Sequence, residues 1–298
     1  MDDPYNLAIV GAGLSALSAL RAGVANERTV VLDYQDAPGG FLRSALPAPG
    51  FEDAWELISS FRLPQRVTAY FEATAVGLLP AFDAGEPHIL LVRLRQGTIE
   101  IRAQRVLIAC GGLETTREQA QIPGTRPAGV ITPVLVHQLL ARGYLPGRQA
   151  VVYGDARYVQ ATAQRLTYAG TRVTLIEPAT NETRQVEQEL PAEIAEIVGF
   201  PRLQCVRLRR AGLLFDVPAD CLVYGVGMLA NTHWLKGSGV MTGPDGAIQV
   251  DEQYRTNVPG IYAVGTVVAP SLDHADSITM GKEVASLLTG GLSSTTPC

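Results

Sequence analysis

Residues 7–16 read LAIVGAGLSA. Leu7 to Val10 is a short apolar strand, and Gly11, Gly13 and Ala16 then place GxGxxA at the opening of a helix that runs to about Gly23. Gly11 permits the tight turn, Gly13 lets a backbone approach a pyrophosphate, and Ala16 lets helix and strand pack closely. The helix N-terminus offers unpaired N–H groups to the anion. A second strand, Thr29 to Leu32, ends on Asp33, where a carboxylate can accept hydrogen bonds from a ribose diol. Strand, glycines, helix, strand and acid in that order predict a dinucleotide site in an α/β, Rossmann-like fold.

Further stretches belong to the same pattern. PGGFLR at 38–43 carries paired glycines that let a loop pass close to a bulky ligand. VLIACGGLE at 106–114 is a buried strand ending in small residues, and VPGIYAVGTVV at 258–268 is another, followed by a helix from about Asp276 to Leu288. Together these residues resemble the FAD-binding domain of the pyridine nucleotide–disulfide oxidoreductase superfamily, in its shorter thioredoxin-reductase-like branch. The resemblance implies two Rossmann-like, three-layer ββα domains, the second inserted into the first.

It also implies an FAD site. Gly11, Gly13 and Ala16 would hold the pyrophosphate, Asp33 the adenosine ribose, and Gly39, Gly40, Phe41 and Leu42 the flavin side. The wider set adds Ala12, Leu14, Ser15, Tyr34, Ala73 and Ser277. The family's ATG sequence falls on Ala109, Cys110 and Gly111, with Cys110 in place of threonine and expected as a small buried hydrophobe. The family's GD pair falls on Gly265 and Thr266. A threonine hydroxyl bonds the ribityl chain more weakly than aspartate, a loss of about 1 to 2 kcal/mol.

The segment 114–154, above all IPGTRPAG at 122–129, resembles FAD/NAD(P)-dependent oxidoreductases associated with multisubunit glycerol-3-phosphate, amino-acid and opine dehydrogenases. Those relatives lack a redox dithiol. This chain has no CxxC pair either: Cys110, Cys205, Cys221 and Cys298 are widely spaced.

A second fingerprint, VVYGDARYVQ at 151–160, is eroded. By the resemblance the FAD-binding domain takes 1–116 and 244–298, and 117–243 is an inserted NAD(P)-binding-like domain. Strand 149–153, helix 161–169 and strand 172–176 keep its architecture. At the turn the chain has Gly154, Ala156 and Val159, with Asp155 between the first two. Ala156 adds a methyl where backbone and pyrophosphate should meet, Val159 thickens the helix–strand contact, and Asp155 sets a like charge beside a phosphate. Glu177 stands where an acid bonds a ribose 2′-hydroxyl and repels a 2′-phosphate, which favours NAD over NADP, or else it is a solvated strand end. VYGVGMLANTHWL at 223–235 keeps a family-like glycine turn at Gly227. Only residues 178–219 separate Glu177 from the closing strand, so the extra hairpin often found there is expected to be trimmed.

Composition sets the outer bounds. The net charge is −5 and the longest basic cluster is the pair Arg209–Arg210, which excludes the electrostatic footprint of a nucleic-acid binder. The longest apolar runs, such as LVYGVGMLA at 222–230, are interrupted by glycine and fall well short of the ~20 residues a membrane span needs, and MDDPYNLAIV shows no leader pattern. A cytoplasmic location is expected. His88, His137, His233 and His274 stand alone in the sequence, so no metal site is expected.

SLDHADSITMGKE at 271–283 should bring a helix N-terminus towards the flavin pyrimidine ring. His274 is the candidate there for stabilising the reduced flavin or moving a proton, against an exposed loop histidine. Two functions follow. One is an FAD-dependent oxidoreductase passing electrons between NAD(P)H or a partner dehydrogenase and an acceptor. The other is an FAD-binding scaffolding subunit whose NAD(P) site has been lost. The expected partners are a small-molecule substrate or a dehydrogenase subunit, and a second copy in a homodimer.

Overall fold

The computed structural model describes residues 3–24, 27–83, 85–154, 156–178 and 191–290. The chain forms two compact units: residues 1–43, 50–113 and 228–298 make unit 1, and 44–49 with 114–227 make unit 2.

Unit 1 begins with β1 (Tyr5–Val10), α1 (Leu14–Arg21), β2 (Thr29–Leu32), α2 (Glu52–Ser60) and β3 (Val67–Tyr70). β4 (Thr74–Leu79), β5 (His88–Leu94), β6 (Gly97–Ile108) and β7 (Gly112–Glu114) follow. The main sheet runs β3-β2-β1-β6-β5-β4. β6 is its pivot: residues 97–103 pair antiparallel with β5, and residues 103–108 pair parallel with β1.

β1 alternates its side chains between two cores. Ala8 and Val10 face one, Leu7 and Ile9 the other, which contains Ala16 and Leu20 of α1. A strand buried on both faces reads as an unbroken apolar run, which is why LAIV carries no polar residue.

Unit 2 contains β8 (Val130–Ile131), α3 (Pro133–Ala141), β9 (Gln149–Tyr153), α4 (Arg157–Tyr168) and β10 (Arg172–Ile176). It continues through β11 (Glu193–Val198), β12 (Cys205–Arg210), β13 (Leu213–Pro218) and β14 (Cys221–Tyr224). A parallel sheet, β10-β9-β14-β8, has α3 and α4 on one face, where Ala150 and Val152 meet Val136, Val159 and Leu166. Its other face carries Val151 and Tyr153, which pack with Val206 and Leu208 of the antiparallel meander β11-β12-β13. Both units therefore share the layering of helices, parallel sheet and antiparallel strands, as the sequence predicts for the fold class.

The chain then returns to unit 1 through β15 (Met228–Ala230), β16 (Ile261–Ala263) and α5 (His274–Gly290). β15 pairs with β7, and β16 pairs parallel with β6.

Two expectations need correction. The hairpin after Glu177 is not trimmed: β12 and β13 join through Ala211 and Gly212, both at positive φ (47° and 80°), the two-residue turn that suits strand twist. Residues 228–243, expected in the insertion, belong to unit 1, because Trp234 and Leu235 are buried in the core that contains Val10 and Ile108.

Candidate functional site

The site grows from the turn after β1. Gly11 sits at φ 102°, and its N–H donates to the Leu32 carbonyl at 2.7 Å. A Cβ there would stand 2.3 Å from the Ala109 carbonyl oxygen, so no other residue fits. Gly13 differs: it caps α1 at φ −80°, and a Cβ on it would meet no atom within 4 Å. No side-chain hydrogen bond caps the helix at Gly13, which leaves its first N–H groups without a capping side chain. Leu14, Ser15 and Ala16 are buried in the first turn of the helix.

Asp33 fixes the turn from the end of β2. Its Oδ2 accepts the Ala12 N–H at 2.6 Å and its Oδ1 the Gln35 N–H at 2.8 Å. Burial pushes the carboxyl up, while those two bonds and the charge of Arg43 pull it down. Each carboxylate oxygen keeps a further lone pair for a diol. Tyr34 is exposed, and Ala73 is buried with its N–H on the Asp33 carbonyl at 2.9 Å.

Three distant segments meet this turn within unit 1. The Gly39 N–H donates to the Ala12 carbonyl at 2.8 Å, and a Cβ on Gly40 would lie 3.1 Å from Gly13 Cα. Phe41 and Leu42 then start the short 3₁₀ turn Phe41–Ser44. The Ala109 N–H donates to the Val10 carbonyl at 2.8 Å. A Cβ on Gly111 would lie 3.3 Å from Thr266 Oγ1, and one on Gly265 2.4 Å from Ser15 Oγ. Residues 11–15, 39–40, 109–111 and 265–266 thus come together at one turn, with open space at the Cβ position of Gly13.

Two contacts that the sequence reading missed hold α5 against α1. Ser18 Oγ donates to the Ile278 carbonyl at 2.7 Å, and a Cβ on Gly281 would lie 2.2 Å from the Ser15 carbonyl oxygen. The spacing of Ser18 and Gly281 as small residues on facing helices was the available signal. Ser277 is buried in the first turn of α5.

Cys110 points its thiol at the Asn231 carbonyl, 3.2 Å away, and burial pushes that thiol up to about 12. It is a protonated, inert sulfur at neutral pH. His274 is not an exposed loop residue. Its ring lies 4.6 Å from that of Phe51, its Nε2 is 3.0 Å from Asp53 Oδ1, and its Nδ1 is paired with Asp273. Both ring nitrogens are engaged by carboxylates.

In unit 2, Gly154 follows β9 at φ 142°, and its N–H donates to the Ile176 carbonyl at 3.0 Å. Ala156 caps α4 without a side-chain hydrogen bond. Asp155 lies outside the described residues. Val159 is fully buried, and Gly225 makes room for it: a Cβ on Gly225 would lie 2.4 Å from Val159 Cγ2. Gly225 was missed by the sequence reading, although it opens the YGVG turn. Glu177 follows β10, with its carbonyl accepting the Ala192 N–H at 3.0 Å, and the Gly227 carbonyl accepts the Thr115 N–H at 3.1 Å.

Among the described residues no group of three His, Cys, Asp or Glu stands ready to hold a metal, and no helix is long and apolar enough to cross a membrane. What the fold and the first turn define is a protein of two Rossmann-like units with a glycine turn in each.

Comparison with known proteins narrows that class. The family model described as pyridine nucleotide-disulphide oxidoreductase matches residues 203–281. Thioredoxin reductase of Streptomyces coelicolor is 25% identical over 288 residues, covering 90% of this chain and 87% of its own. Mercuric reductase of Shewanella putrefaciens is 26% identical over 310 residues, 87% of this chain and 54% of its own. The chain thus spans about half the length of that relative, and 32% of the coenzyme A disulfide reductase of Staphylococcus epidermidis. Among solved structures, thioredoxin reductase of T. acidophilum superposes with a TM-score of 0.77 at 21% identity, over 98% of this chain and all of that one. L-proline dehydrogenase of P. horikoshii superposes at 0.75 and 19% identity, over 99% of this chain and 57% of that one. The chain is thus similar to pyridine nucleotide–disulphide oxidoreductases in sequence and is thioredoxin-reductase-like in fold.

Proposed function

We propose that the protein is an FAD-dependent oxidoreductase that passes electrons between NAD(P)H, or a partner dehydrogenase, and an acceptor, without a redox dithiol. The observation that carries the reading is the open space where a Cβ on Gly13 would stand, at a turn that Gly40 approaches closely. The glycines and the N-terminus of α1 suit a dinucleotide pyrophosphate, and the Asp33 carboxylate at the end of β2 suits its ribose. FAD, when bound, supplies the hydride chemistry.

The chain's own residues position that group. Gly13 and the N–H groups of α1 receive the pyrophosphate, Asp33 orients the adenosine ribose, and Thr266 bonds the ribityl chain. Gly39, Gly40, Phe41 and Leu42 line the flavin side. His274 acts as a positioning residue: with Asp53, Asp273 and Phe51 it fixes the start of α5, whose N-terminus offers its positive end to the flavin.

In unit 2, Gly154, Glu177 and Gly227 form the place for a nicotinamide dinucleotide, with Glu177 favouring NAD over NADP. A second reading, a flavin-binding scaffolding subunit without nicotinamide, is favoured by one observation: Ala156 caps α4 where the second glycine of the fingerprint would stand. Anaerobic addition of NADH and of NADPH to the flavin-loaded chain separates the two. Bleaching of the visible flavin band by NADH supports the oxidoreductase that takes its electrons directly. A flavin left oxidised by both donors, and by candidate dehydrogenase subunits with their substrates, supports the scaffold.

A further inference from the structure

β13, LLFDVP, is the outer strand of the meander in unit 2. The opposite edge is covered: Thr125 donates its N–H to the Ile197 carbonyl of β11 at 2.8 Å, and Gly124 bridges to the same residue. Among the described residues β13 has no such cover. Leu213 is 74% exposed, Leu214 57% and Phe215 37%. Edge strands are usually protected by lysine, by an inward charge, by a bulge or by proline within the run. Here the register with β12 is unbroken, Pro218 stands at the very end, and the strand's one charge is already spent. Asp216 accepts both Nε (2.8 Å) and Nη2 (3.1 Å) of Arg207, which also reaches Glu196 at 2.7 Å.

The exposed residues continue the core. Phe215 is opposite Leu208 and Val217 is opposite Val206, so Leu213, Phe215 and Val217 lie on the face that packs on the parallel sheet. Leu213 and Phe215 overhang its rim.

We propose that β13 is a self-pairing edge: two copies of this chain join antiparallel through β13, with Phe215 opposite Phe215 on the two-fold axis. The occupant follows from the sequence of the strand. Centring on Phe215 sets Leu213 opposite Val217 of the other copy, so the core face meets apolar partners throughout. On the outer face it sets Leu214 opposite Asp216. The row across both sheets then reads Glu193, Arg209, Leu214 and, in the copy, Asp216, Arg207, Glu196, with charges alternating and no like pair adjacent. An isologous contact of this kind closes on itself and joins the two meanders into one six-stranded sheet.

The test uses the full-length chain. Sedimentation equilibrium from nanomolar to high-micromolar protein should show a monomer–dimer equilibrium. Phe215→Lys, which sets two ammonium groups face to face on the axis, should weaken it by about 100-fold or more. Leu214→Lys, which faces Asp216 of the copy, should keep it. Circular dichroism checks that both variants fold. Cysteines report the register. Directly opposed residues have Cα atoms roughly 4.5–5.5 Å apart, within disulfide reach, so Phe215→Cys should cross-link under a copper–phenanthroline oxidant. Leu213→Cys, displaced from its own copy by four positions or roughly 13 Å, should not, with the unaltered chain as control for its native thiols. A monomer at every concentration overturns the proposal. So does a dimer untouched by Phe215→Lys, or cross-linking that is equal for the two cysteine variants.

Discussion

Val159 occupies the space that Gly225 leaves empty: a Cβ on Gly225 would stand 2.4 Å from Val159 Cγ2, and 3.0 Å from Pro133 Cγ. The bulk that Val159 brings to the helix–strand contact is therefore offset from the neighbouring turn. Gly225→Ala should overpack the contact and cost about 1–3 kcal/mol. Val159→Ala alone should cost about 2 kcal/mol through lost burial. In the double variant the clash disappears, and the two costs should fall short of additive by about 1 kcal/mol, measured as a double-mutant cycle in urea. Full additivity would show that the two residues do not share this space.

Gly11 and Gly13 separate folding from ligand binding. Gly11→Ala forces a Cβ to within 2.3 Å of a backbone oxygen at φ 102°, and should destabilise unit 1 by about 3 kcal/mol or more. Gly13→Ala meets nothing, so its unfolding free energy without flavin should stay within about 0.5 kcal/mol of the parent. Its methyl projects into that open space, and flavin affinity should fall about 10- to 100-fold, as read by fluorescence titration.

Thr266 lies beside Gly111, at the position to which the resemblance assigns an aspartate. Thr266→Asp should tighten flavin binding by about tenfold, the worth of exchanging a neutral hydrogen bond for a charge-assisted one. Isothermal calorimetry with FAD reads the change directly. Unaltered or weaker binding would remove Thr266 from the ribityl contact.

His137 gives unit 2 a pH-dependent stability. It is buried on α3, with Nε2 2.8 Å from Thr162 Oγ1 and Nδ1 3.3 Å from an Arg165 nitrogen. Burial, helped by the Arg165 charge, holds its ring down at about 4, against 6.5 in the open chain. The unfolded chain thus takes up a proton below pH 6.5 that the folded chain refuses until about pH 4. The stabilisation is whole above pH 6.5 and is lost as pH falls towards 4, by about 3 kcal/mol in total. Urea midpoints across that window should fall for the parent, and should fall less for His137→Gln.

The first turn was legible because its requirements are local. Gly11, Gly13, Ala16 and Asp33 announce themselves by spacing alone. The contacts that other segments make with this turn were not legible, since Gly265 against Ser15 and Gly281 against Ser15 pair residues hundreds of positions apart. Val159 was read as a defect because its remedy, Gly225, lies in another turn. The meander was underestimated from segment length, although alternation in EIAEIV and the Ala211–Gly212 pair between two strands carried its signal. The surroundings of His274, a candidate set against an exposed loop histidine, were not legible because nothing in the sequence brings Phe51 and Asp53 to its ring.

FAD binding at the turn of Gly13 underlies the proposed function. Equilibrium dialysis of the purified full-length chain against FAD, followed by the visible absorption spectrum, tests it most directly. One flavin per chain is expected for the parent, and a reduced occupancy for Gly13→Ala at equal stability. A folded parent that takes up no flavin, or a Gly13→Ala variant that binds it equally well, would contradict it.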